Sequence, residues 1–222
     1  MSFHTELINR VAVERQQFLA IPIIGEALEG RIGVETYIAF LREAYHHVKY
    51  TVPLLMACGA RLPDRLEWLR EGVADYISEE IGHEQWILDD IRVCGGNSDA
   101  VRHGLPSLAT DVMVAFAWDT VLRRNPVGFF GMVLVLEGTS AALATRAAEA
   151  LRKSTGIAAG GFTYLSSHGS LDQQHMENYK RLMDRLDDPA DMEAVVYTAR
   201  VMYRLYGDIF RSLSADRNQA AA

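Results

Sequence analysis

Apolar residues recur at helical spacing along almost the whole chain of 222 residues. No segment alternates polar and apolar positions between turn pairs, as a half-buried strand would. The pattern predicts seven helices and no sheet. The first runs from about Phe3 to Leu19. A turn through residues 21–33, with a short helical piece at 23–29, leads to the second, from about Val34 to Cys58. Pro53 lies inside that helix, where its missing N–H predicts a kink, and Gly59 is a natural stop. The third spans about Pro63 to Val93, with Gly72 as a candidate break and Gly95-Gly96 as its end. The fourth runs from near Pro106 to Arg124. The fifth opens at Asn125-Pro126 and continues to about Lys153, and the sixth follows Gly160-Gly161 and reaches Leu186. Asp188-Pro189 has the form of a capping residue followed by proline at the first helical position, and opens a seventh to about Leu213. Residues 215–222 read as a frayed tail. With short connections and no linker, the expectation is an all-α fold, one seven-helix bundle forming a single domain over residues 1–222.

The candidate chemistry lies where polar residues interrupt this pattern. In H-G-S-L-D-Q-Q-H, residues 168–175, a turn of 100° per residue puts His168, Asp172 and His175 within roughly a 60° arc of one helix. Imidazole and carboxylate together suit iron, manganese or zinc, although a polar outer face would read the same way. In S-E-E-I-G-H-E, residues 78–84, Glu80 and His83 form a Glu-x-x-His pair, the i, i+3 arrangement on metal-facing helices of di-iron carboxylate bundles. Glu79 is also about one turn from His83, and the surface alternative is an acidic helix face.

Glu137 stands alone after the apolar run GFFGMVLVL, and the nearest basic residue is Arg146. A buried carboxylate must protonate or find a partner, here a metal or a buried arginine. In R-E-A-Y-H-H-V-K-Y, residues 42–50, Glu43, His46 and His47 could complete the shell of a second metal or be ordinary core and surface residues. Jointly, three carboxylates and three imidazoles come from three helices, with a fourth helix in reserve. One distribution places Glu80, His83 and His168 around one ion and Asp172 and His175 around another, with Glu137 bridging or ligating one of them.

Composition narrows the classes. Hydrophobic residues at 49% and charged residues at 23% are ordinary for a soluble globular chain. A net charge of −7 argues against a nucleic-acid partner, which would call for clustered lysine and arginine, and points to no anionic membrane surface. Cys58 and Cys94 stand apart and read as free thiols in a reducing compartment. The N-terminal residues lack the form of a signal peptide, and the run at 128–136 is too short to cross a bilayer. A cytoplasmic protein is expected.

The segment AYHHVKYTVPLLMACGARLP resembles the second helix of the heme-oxygenase-like superfamily, which also holds thiaminase-II and pyrroloquinoline-quinone synthase. EEIGHEQW, LVLEG and HGSLDQQH resemble its non-heme di-iron oxidase branch, and the similarity spans nearly the whole chain. The resemblance implies metal ligation by Glu80, His83, Glu137, His168, Asp172 and His175. It also implies an early carboxylate, for which Glu43 is nearest but out of register. The His-x3-Asp-x2-His spacing is closer to an alkene-forming fatty-acid decarboxylase of the branch than to a member linked to p-aminobenzoate synthesis, which has a longer last interval.

The cofactor implied is iron, two ions with the second often labile, and the ligand types suit manganese equally. The implied activity is oxygen-dependent oxidation of a small organic substrate, such as a fatty acid or amino acid, by a homodimer. A thiaminase would need a cysteine within 126–140, and there is none. Heme oxygenase would need a first-helix histidine, for which His4 is the sole candidate, and Gly128/Gly131 match its distal helix poorly. The alternatives are a cofactorless quinone-synthase-like oxidase and a non-catalytic ligand-binding protein.

Overall fold

The structure is a computed structural model that describes residues 1–220, with side chains described except at 170–173 and 215–220. The side chain of Asp172 therefore lies outside the described ones, and the expected frayed tail continues α12 as helix through Ala220, with only 221–222 outside the described residues. Helices are α1 (Phe3–Arg10), α2 (Ala12–Leu19), α3 (Pro22–Leu28), α4 (Val34–Val48), α5 (Thr51–Arg61), α6 (Glu67–Glu80), α7 (His83–Val93), α8 (Ser98–His103), α9 (Leu108–Arg123), α10 (Phe129–Thr155), α11 (Thr163–Met183) and α12 (Pro189–Ala220). No strand occurs among the described residues.

The expected count of seven is not matched, because the first three predicted helices are each divided and α3 and α8 are added. The second divides at Lys49-Tyr50, not at Pro53. Pro53 is the third residue of α5, where a backbone N–H has no partner within the helix, so its absence disturbs nothing. Gly72 does not break the third helix. A Cβ there would come within 2.9 Å of Leu182 on α11, so the glycine serves close packing. The break falls instead at Ile81-Gly82, where Gly82 takes φ +92°, a left-handed conformation that costs other residues energy.

Helix α10 runs through the interior between α11 and α12. Gly131 on α10 lies against the backbone of Val195 and Ala199 on α12, and Phe130, Val135, Val195 and Ala199 are all fully buried. The stretch Pro126–Thr155 is long and apolar enough to cross a membrane on length and composition, so the expectation that the apolar run is too short does not hold for the helix as a whole. In the folded chain 56% of its most apolar window is buried inside the protein.

Candidate metal centre

Four helix segments supply the polar side chains of one interior region. Glu80 is the last residue of α6 and His83 the first of α7, so the Glu-x-x-His pair does not sit on one continuous helix as its spacing suggests. The turn at Gly82 still brings the two together, with His83 Nδ1 3.1 Å from Glu80 Oε2 and both side chains buried. The His83 ring stacks on Trp86 with centroids 4.0 Å apart and meets His168 edge-on at 4.8 Å. The His168 ring also meets Tyr164, with centroids 4.8 Å apart.

The position of His168 traces to the start of its helix. Buried Asp90 on α7 accepts hydrogen bonds from the backbone N–H groups of Thr163 (2.9 Å) and Tyr164 (2.8 Å). It thereby satisfies orphan donors at the N-terminus of α11. Burial pushes the Asp90 carboxyl up from an ordinary 3.8 to about 6 against the opposing pull of those bonds. Gly169, next to His168, lets α11 approach α10, since a Cβ there would collide with Thr145 Oγ1.

One turn and three residues further along α11, His175 faces α6. Its Nε2 is 3.0 Å from Glu79 Oε2 and its Nδ1 3.8 Å from Glu80 Oε1. The Tyr76 hydroxyl donates to Glu137 Oε2 at 3.4 Å and lies 3.5 Å from the His175 carbonyl. Burial, the Glu137 charge and the hydrogen bond to it raise the Tyr76 phenol far above its usual range, so it remains a neutral donor.

Two sets of donor atoms result among the described residues. Glu80, His83 and His168 form one, and Glu80, Glu137 and His175 the other, the atoms of each set lying within 4.8 Å of one another. Glu80 is common to both. Glu79 and Glu80 occupy the last turn of α6, where the helix dipole disfavours negative charge by about 0.3–1 kcal/mol each. A cation between the segments would remove that penalty. The nitrogen and oxygen donor set fits iron or manganese.

The other sequence candidates divide. Glu43 joins neither set among the described residues. Its carboxylate accepts from Thr110 Oγ1 (2.6 Å), Ser107 N (3.0 Å) and Arg42 Nε (3.0 Å), tying α4 to the start of α9. Burial raises its pKa, but those bonds outweigh burial and leave it lowered. His46 lies beside Lys49 Nζ at 3.2 Å. His47 also joins neither set, but it lines a cavity of about 70 Å³ together with Glu80, Glu137 and His168. Burial drives His47 down to about 4, so it is a neutral imidazole at pH 7, and its buried Nδ1 makes no hydrogen bond.

Phe129 lines this cavity. Tyr76, Ser140 and Tyr206 line it too, and helical periodicity alone does not distinguish them from core residues. A second, apolar cavity of about 100 Å³ lies among α3, α4, α10 and α12 and shares Ser140, Tyr164 and Tyr206 with the first.

Comparison with known proteins places this chain in a family. No curated protein matches the sequence. A protein of unknown function from Shewanella denitrificans, described as having a heme oxygenase-like fold, superposes with a TM-score of 0.86 at 22% identity, covering 98% of this chain and 94% of that one. A TenA homolog from Pseudomonas syringae gives 0.81 at 8% identity, covering 96% and 93%. Heme oxygenase-1 from the cyanobacterium Synechocystis, in complex with heme, gives 0.77 at 12% identity, covering 100% and 96%. These similarities show a heme oxygenase-like fold. The sequence model of a family described as iron-containing redox enzymes matches residues 38–207, which include every candidate donor from Glu43 to His175. The chain belongs to the family of iron-containing redox enzymes.

Proposed function

We propose that this protein is a dioxygen-dependent oxidase or oxygenase of a small organic substrate, working with two metal ions, iron or manganese. The observation that carries the reading is the pair of donor sets joined at Glu80. Glu80, His83 and His168 would hold one ion and Glu80, Glu137 and His175 the other, with Asp172 on the same helix as a further candidate. The iron held there would contribute electrons to dioxygen chemistry. The chain's own residues do the rest. Trp86 and Tyr164 fix the planes of His83 and His168, Tyr76 directs Glu137 through a hydrogen bond, and the surrounding apolar residues exclude water.

The adjoining apolar cavity supports a substrate with a hydrocarbon body, which would lie among Ile24, Phe40, Leu143 and Phe210. Among the described residues, no Lys or Arg lines either cavity. A carboxylate on the substrate would therefore find positive charge in the bound metals and in none of the described side chains that line the cavities. That favours a fatty acid over a zwitterionic amino acid, whose ammonium would add a second charge to desolvate. A homodimer in the cytoplasm is part of the same reading.

The test is anaerobic addition of ferrous iron followed by oxygen. Uptake of about two ions per chain, an optical change on oxygen exposure, and loss of both in His168→Ala and Glu137→Ala with helical circular dichroism retained would support it. A folded chain that takes up neither iron nor manganese would refute it.

A further inference from the structure

The sequence leaves Glu79 and Glu80 as rival ligands, and the structure gives them different positions. Adjacent residues on a helix point 100° apart, and the ring of His175 lies across the gap. Its Nδ1 faces buried Glu80 at 3.8 Å, while its Nε2 meets Glu79 at 3.0 Å. Glu80 is 5% exposed and Glu79 41%. On its outer side Glu79 lines a polar groove between α6 and α11, with Asp75, Asn178 and Arg181. Glu79 is absent from both donor sets found among the described residues.

We propose that Glu79 is a positioning residue and not a metal ligand: it accepts the Nε2–H of His175 and so presents the Nδ1 lone pair to the site shared with Glu80 and Glu137. The inference rests on the metal-centre reading above. A neutral imidazole carries one ring proton, and the nitrogen that donates it determines which nitrogen is left to ligate. A carboxylate on the far nitrogen also holds the ring plane and makes the ligating nitrogen more basic, and losing such a partner typically weakens metal affinity about 10–100-fold. Because Glu79 is in contact with solvent, it can be replaced without leaving a buried charge unpaired.

The experiment compares metal affinity and stoichiometry in wild type, Glu79→Ala, Glu79→Gln and Glu80→Gln, using Co²⁺ as a spectroscopic stand-in for ferrous iron, with circular dichroism to establish folding. Glu79→Ala should bind as many ions as wild type at saturation, with one of them weakened about 10–100-fold. Glu79→Gln, whose side-chain carbonyl still accepts the Nε2 proton, should recover part of that loss. Wild-type Co²⁺ protein should show a paramagnetically shifted, exchangeable N–H resonance from His175, and in Glu79→Ala that proton should exchange faster with solvent. Unchanged affinity in Glu79→Ala would overturn the positioning role. A missing ion at saturation in Glu79→Ala, as expected for Glu80→Gln, would overturn it by making Glu79 a ligand. Failure of the wild-type chain to bind any metal would remove the metal-centre reading itself, and this proposal with it.

Discussion

His83 Nδ1 lies 3.1 Å from Glu80 Oε2 across a break in the helical backbone. The left-handed turn at Gly82 separates their helices, yet it is this turn that sets the relation between the two side chains. Gly82→Ala has open space for its Cβ, so the strain would be conformational alone, about 1–2 kcal/mol. We expect a loss of stability of that size in urea unfolding, together with weaker metal binding. A variant as stable as wild type would show that the turn is not strained.

Glu80 belongs to both donor sets, whereas His83 and Glu137 each belong to one. Glu80→Gln should therefore lower bound metal, measured by elemental analysis after anaerobic loading, further than His83→Ala or Glu137→Gln. Equal losses in the three variants would argue against a shared ligand.

Asp90 gives a pH signature. Its folded pKa of about 6 lies above its ordinary 3.8, so between those values the folded state binds more protons than the unfolded chain. Its contribution to stability is full below about pH 3.8 and is lost as pH rises through 6. Chemical unfolding of Asp90→Asn, followed between pH 4 and 7, should lack that component of the slope.

His47 acts in the opposite direction. Its folded pKa of about 4 lies below its ordinary 6.5, so its contribution is full above pH 6.5 and is lost as pH falls through 4. Replacing His47 by Gln should reduce acid destabilisation in that window, measured by thermal unfolding against pH. An unaltered acid limb would show that His47 accepts a proton in the folded state as readily as in the unfolded chain.

Ala147 borders the apolar cavity. Ala147→Phe would fill part of it, at a packing cost of typically about 1–3 kcal/mol. Turnover of long-chain fatty acids should fall while metal uptake stays at the wild-type level. Undiminished turnover would place the hydrocarbon body elsewhere.

The all-helical class was readable from periodicity, because an amphipathic helix needs its buried face repeated every turn whatever it packs against. The divisions of the long helices were not. Pro53 carried a strong local signal but occupies a position where its missing donor is harmless, and Gly72 is explained by Leu182 on a helix more than 100 residues away in sequence. Glu43 and His47 share one short motif and separate in space, one tied to α9 by hydrogen bonds and the other turned toward the cavity.

By itself the sequence determined which chemistry is available: acidic and imidazole side chains placed on otherwise apolar helices, at spacings that recur because helical geometry is local. Only the tertiary structure decided which of them meet. Glu80 joins two donor sets, Glu79 faces the far nitrogen of His175, and Glu43 is committed to the start of α9. These relations depend on how α6, α7, α10 and α11 pack and on one left-handed glycine, and side-chain contacts between distant segments leave no period in the chain from which they could be read.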